Sequence, residues 1–157
     1  MKTILKVIAG GIVWATVLSL SSIQSCKADE LWVNTGGFSK HFEDNGRNEV
    51  NFGLGAEYRF RDDVSVMAGF HKNSLDLRTR YAAMVYQPWS IGNVKIGVSM
   101  GYMDGYPLKS QGKGFFAVLP MATYEGDRFG VNLGVIPNIP SQHVEGAVAL
   151  QFKFKVF

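Results

Sequence analysis

An imidazole and a hydroxyl held at one place are the minimum equipment for acyl transfer. The imidazole takes a proton, and the hydroxyl attacks the carbonyl or relays the proton. In this sequence the pair is His41 and Ser74, with Asn73 beside the serine. His71, three residues before Ser74, is a rival base. Asp76, Asp44 and Glu43 are possible carboxylate partners. Spacing alone does not specify these residues, since any loop can hold a serine or a histidine. They matter only if the fold brings them to one rim. No metal-ligand set, phosphate loop or nucleotide fingerprint accompanies them, so no cofactor is expected. The single cysteine, Cys26, excludes an internal disulfide and a zinc site built on several cysteines.

The elements that must position these residues are strands. In 51–60, Phe52, Leu54, Ala56, Tyr58 and Phe60 alternate with Asn51, Gly53, Gly55, Glu57 and Arg59. Apolar residues on one face and none on the other is the signature of a strand with two different surroundings. The same period of two recurs in 64–71, 94–102 and 129–135, and in 148–156 at the end of the chain. Weaker alternation marks 31–41, 80–87 and 115–124. The total is eight strands. Connections at 61–63, 88–93 and 125–128 are short, and those at 42–49, 72–79, 104–114 and 137–143 are longer and more polar. Short and long connections alternate between the two ends.

The first 28 residues read as a secretory signal peptide. Lys2 and Lys6 precede an apolar stretch from Val7 to Leu20, and cleavage is expected after Ala28. An uncleaved N-terminal anchor, or a lipoprotein acylated at Cys26, are the alternatives. The formal net charge of +3 is misleading. Three of the 16 basic residues (Lys2, Lys6, Lys27) lie in this leader, which leaves 13 basic and 13 acidic residues from Asp29 onward. A neutral body gives no reason to expect nucleic acid as a partner.

Together these features describe an all-β protein: an eight-stranded antiparallel up-and-down transmembrane β-barrel over residues 29–157, monomeric, in the outer membrane of a Gram-negative bacterium. The face carrying Glu57, Arg59, Lys95, Lys153 and Lys155 must point inward, because a charge facing lipid costs several kcal/mol (about 2–4 for a cation at the midplane). A secreted soluble barrel would invert the two faces, and glycines on the mixed face argue for a crowded lumen instead. With short turns toward the periplasm, the periplasmic half of the lumen holds Glu57, Arg59, Ser65, Lys95, Asn132, Gln151 and Lys153 as a polar plug. The outer half holds Gly53, Gly55, Met67, Gly69, Ser99, Gly101, Met103, Gly134, Ile136, Ala147 and Ala149, small or apolar and without charge. That half is expected either to be packed or to form an outward-opening pocket fit for a hydrocarbon chain. Pro120 and Pro137 each remove a ladder hydrogen bond and predict a weak wall between the sixth and seventh strands. Phe157 is out of phase with Phe152 and Phe154, which predicts a bulge or frayed end.

In order, His41, Asn48-Glu49 before Phe52-Gly53-Leu54-Gly55, Asn73-Ser74, Leu119-Pro120-Met121-Ala122, Ile136-Pro137 and the phenylalanine-rich end resemble the PagP-type lipid A palmitoyltransferases. The resemblance implies an outer-membrane barrel that moves an acyl chain from a phospholipid to lipid A. It implies a hydrocarbon pocket in the outer half and a rim site of His, Asp and Ser. His41 and Ser74 match the His and Ser, while Asn73 stands where the family has Asp. Asn73 cannot carry the charge that supports an imidazolium, and its expected role in the site is to orient or polarise the reacting groups. Val50 replaces the proline of the family's second wall gap, and the family's N-terminal amphipathic helix has no counterpart. A gapless match places Val85 at the pocket floor, where a bulkier residue predicts a shorter acyl chain. The resemblance thus implies phospholipid and lipid A as partners. A non-catalytic barrel of the same ancestry, serving lipid binding, adhesion or membrane integrity, and a lipid A deacylase are the other readings.

Overall fold

A computed structural model describes residues 29–43, 46–110, 113–140 and 144–157. The expected signal peptide, and Asp44 among the candidate carboxylates, lie outside them. Eight strands run β1 (Glu30–His41), β2 (Val50–Arg61), β3 (Val64–Lys72), β4 (Arg78–Ile91), β5 (Val94–Met103), β6 (Phe115–Glu125), β7 (Phe129–Ile136) and β8 (Ala147–Lys155). Each pairs antiparallel with its sequence neighbours, and β1 pairs with β8 to close the barrel. One helical turn, α1 (Pro107–Ser110), lies between β5 and β6. No described helix is long and apolar enough to cross a membrane.

The period of two is realised as inside and outside. On β2, Phe52, Leu54, Tyr58 and Phe60 are exposed, while Glu57 and Arg59 are 1% exposed. Across the barrel, Phe70, Tyr86, Tyr102, Phe116, Leu133 and Phe154 also face outward. An apolar surface running around the whole circumference is far larger than the patches soluble monomers expose, and it suits a lipid solvent.

Strand limits lie within two residues of the sequence reading except at the far end of β4. β4 continues through Pro88 to Ile91, and its register with β5 shifts between Tyr86 and Trp89. Proline cannot donate to the ladder, so the strand accommodates it at an irregularity rather than ending there. The connection shrinks to Gly92-Asn93, with Gly92 at φ 58°, a left-handed conformation suited to glycine. At the C-terminus the strand ends at Lys155, yet Val156 N donates to Leu31 O at 2.7 Å and Leu31 N to Phe157 O at 3.1 Å. The end stays tied to β1, with both terminal side chains exposed.

Among the described residues the wall has one open seam. β5 pairs with β6 out to Met103↔Phe115, and β7 pairs with β8 out to Ile136↔Ala147. Between β6 and β7 the ladder runs only from Glu125↔Gly130 to Met121↔Gly134. The outer part of β6, Phe115–Pro120, therefore has no partner on its β7 side. The break begins at Pro120, and Pro137 follows the last residue of β7, as the two prolines predict. The β1–β2 seam stays zipped to Phe38↔Val50, with Ser39 N donating to Glu49 O at 2.8 Å.

Candidate functional site

The lumen is built in three levels. At the short-turn end Glu57, Glu125, Arg59, Lys95 and Lys153 form an ion network. Lys153 Nζ lies 3.0 Å from Glu57 and 2.6 Å from Glu125, Lys95 Nζ is 3.0 Å from Glu125, and Arg59 bridges both glutamates. Ser65 Oγ donates to Glu57 at 2.8 Å. Lys153 also sits 4.7 Å from the ring centroid of Trp32, which is 1% exposed. Buried charges persist only when paired and hydrogen-bonded, and here each glutamate meets at least two cations. The sequence reading placed Glu57, Arg59, Ser65, Lys95 and Lys153 here but missed Glu125, which lies at a strand end and was read as turn.

Above the ions runs a one-directional chain of hydrogen bonds. Gln87 Nε2 donates to Thr123 at 2.8 Å, and Thr123 to Asn132 Oδ1 at 2.9 Å. Asn132 Nδ2 donates to Gln151 Oε1 at 3.1 Å, and Gln151 Nε2 to the Tyr81 hydroxyl at 3.2 Å. Beside it Met67, Val85 and Met121 pack together, with Val85 1% exposed. This layer closes the lumen from below.

Above it the barrel is hollow. A chamber of about 200 Å³ is walled by residues such as Met67, Ala83, Gly101, Leu119, Met121 and Gly134. Seven residues expected in an outer-half pocket (Met67, Ser99, Gly101, Met103, Gly134, Ile136 and Ala149) line it. Gly134 opens real space, since a Cβ there would meet nothing within 4 Å. Gly55 and Gly69 do not line it. A Cβ on either would stand 2.5 or 2.8 Å from the Tyr81 hydroxyl, so these glycines make room for that ring. A second chamber of about 350 Å³ lies toward the rim and shares His41, His71, Ser74, Met103 and Tyr106 with the first. It is lined by inward Ala117 and Leu119 and also by outward Phe116 and Val118, which are 65% and 52% exposed. A cavity touching both faces of one strand reaches around that strand's free edge, which here is the unpaired outer part of β6.

His41 ends β1, and its side chain lines both chambers. Its Nδ1 is buried with no hydrogen-bond partner among the described residues. Ser74 lies just after β3 and lines both chambers too. The Tyr106 phenol lies beside the Ser74 and Thr79 side chains. Burial holds that phenol above its ordinary range, so it stays neutral at physiological pH. His71 lines both chambers as well, beside Tyr81.

Asn73 is placed differently. It is 1% exposed and lines neither chamber. Its Oδ1 accepts from Leu75 N at 2.9 Å and Leu77 N at 3.1 Å, and its Nδ2 donates to Gly105 O at 2.8 Å and Thr79 at 3.1 Å. Every polar atom of the carboxamide is used to fold the loop that presents Ser74. Asp76 points away from the chambers and pairs with Lys72 at 2.7 Å, and Glu43 is exposed. Glu145 is the single carboxylate among the described lining residues of the two chambers, and it is gripped by Arg47, whose Nε lies at 2.8 Å. Sequence reasoning missed Tyr106, Glu145 and Arg47, because all three come from long loops with no periodicity to place them.

No protein-family model matches the chain, and no curated protein matches it. Solved structures do. A structure from the de novo design of transmembrane β-barrels aligns with TM-score 0.59 and 14% identity, over 85% of this chain and all of that one. The N-terminal β-barrel domain of Pseudomonas aeruginosa OprF aligns with TM-score 0.51 and 13% identity, over 82% of this chain and 98% of that one. The designed barrel TMB2.3 aligns with TM-score 0.53 and 10% identity, over 86% and 99%. At such identities the likeness shows the fold: a closed eight-stranded barrel of the transmembrane, outer-membrane type.

Proposed function

We propose that the protein is an outer-membrane acyltransferase that moves a fatty acyl chain from a phospholipid to lipid A. One observation carries the reading. His41, with an open buried Nδ1, and Ser74 stand on the wall of an apolar cavity that passes around the unpaired edge of β6. An acyl chain lying in the surrounding lipid enters through that seam and settles in the lower chamber, above the Gln151–Tyr81 layer. Its ester carbonyl then rests near the rim. His41 takes the proton of the acceptor hydroxyl as that oxygen attacks the carbonyl carbon. The new ester bond forms, the donor ester C–O bond breaks, and the proton passes to the departing lysophospholipid oxygen. The Ser74 and Tyr106 hydroxyls donate to the developing oxyanion. Buried Val85, Met67 and Met121 set the floor, which makes the accepted chain short.

The test is mass spectrometry of lipid A from cells with and without the protein. An added acyl chain supports the reading; an unchanged lipid A points to a non-catalytic barrel, and a lost chain to a deacylase. His41→Ala and Ser74→Ala should each lower transfer by roughly 10²-fold or more while the heat-modifiable gel mobility of a folded barrel persists. Full activity in both variants would remove these residues from the site.

A further inference from the structure

We propose that the outer end of the β3–β4 hairpin docks the phosphates of lipid A; the choice of this lipid rests on the outer-membrane placement given above. Every charge on an exposed strand residue is basic: Lys40, Arg61, Lys72, Arg78 and Arg80. Lys40 is paired with Glu49 at 2.9 Å and Arg61 with Asp63 at 3.0 Å. The other three gather on one hairpin. Lys72 stands directly across the ladder from Arg78, and Arg80 across from Phe70. Two like charges opposed on neighbouring strands destabilise the pairing, so this arrangement calls for an anion.

The neighbouring acids, one on the hairpin and one just after β5, supply only part of it. Asp76 holds Lys72 at 2.7 Å, and Asp104 holds Arg80 at 2.9 Å. Arg78 has no carboxylate partner among the described residues. Its guanidinium lies 5.4 Å from the centroid of the Phe70 ring, so its planar face is covered by the aromatic band while its donors remain open. The Arg80 side chain is 78% exposed. Phe70 and Tyr102 end the apolar surface here, with Ala82 across the ladder from Tyr102, so the cations stand where lipid headgroups begin. Arg78 and Arg80 are about 7 Å apart along β4. Guanidinium groups bind phosphate with two parallel hydrogen bonds. A row of three cations at the rim facing the outer leaflet fits a headgroup with more than one phosphate better than a phospholipid with one.

The test is native mass spectrometry of the folded full-length protein in detergent with three probes: bisphosphorylated lipid A, the same glycolipid stripped of both phosphates, and phosphatidylglycerol. The wild type should retain bisphosphorylated lipid A best. Arg78→Gln should weaken that retention roughly tenfold. The Lys72→Gln, Arg78→Gln, Arg80→Gln triple variant should bring it down to the level of the stripped lipid. Lys40→Gln should change nothing. Added salt should release the phosphorylated lipid from the wild type and not the stripped one, a measurement that needs no variant. Equal retention of the stripped lipid, equal retention of phosphatidylglycerol, or wild-type retention by the triple variant would each overturn the proposal. His41→Ala should still hold lipid A, so a failure of acyl transfer and a failure of docking are read separately.

Discussion

The two halves of the lumen are walled by the same strands and do opposite things. Below, Glu57, Glu125, Arg59 and Lys153 fill the barrel with interlocked charge, and Lys153 and Glu57 are 0% and 1% exposed. Above, from Met67 to the rim, small and apolar side chains leave two joined chambers. An eight-stranded barrel is just wide enough to be filled by side chains, so emptiness in one half is a choice of residues and not of strand number. The ions cross-link distant strands and make a rigid base. The upper half gives up packing and, at the β6–β7 seam, hydrogen bonds, and gains room and access. Interlocked charge and empty space are thus segregated along the barrel axis.

Substitutions should separate the halves sharply. Glu125→Ala leaves Arg59, Lys95 and Lys153 short of a counter-charge, and it should cost about 3–5 kcal/mol in urea unfolding from lipid vesicles. A loss under 1 kcal/mol would mean that the base is not held by its ions. At the boundary, Met121→Ala should cost about 2 kcal/mol and deepen the lower chamber, so that lipid A mass spectrometry shows a longer chain transferred. An unchanged chain length would remove Met121 from the floor. Asn73→Asp removes the donor to Gly105 O and leaves that carbonyl unpaired. It should destabilise by about 1–3 kcal/mol and not raise acyl transfer. A gain in transfer would show that a carboxylate is wanted there. The smallest stability effect is expected at Gly134→Leu, within about 1 kcal/mol, because the added side chain enters empty space. Acyl transfer should nevertheless fall steeply as the chamber fills, and unimpaired transfer would mean that the acyl chain lies elsewhere.

Much of the barrel was legible because lipid outside and ions inside impose a period of two that survives in the sequence. The 51–60 stretch alone fixes which face is which. The two prolines also announced the open seam, since a missing donor is a property of the residue. The polar floor was legible in part: Asn132 and Gln151 alternate with apolar neighbours, but Gln87 and Thr123 were not singled out. The rim was harder. Tyr106, Arg47 and Glu145 sit in loops where neither period nor spacing predicts a direction. The glycines misled in one respect, since Gly55 and Gly69 house the Tyr81 ring across the sheet instead of leaving a void.

The sequence by itself determined the barrel, its inside and outside, and the separation of charge from grease along the lumen, because each follows from the solvent that every residue must face. Only the tertiary structure decided that Glu125 completes the ion network, that Asn73 folds its loop without reaching the cavity, and that His41 and Ser74 share a wall. Those are contacts between strands and loops far apart in the chain, and such meetings depend on register and loop path, which alternation does not encode.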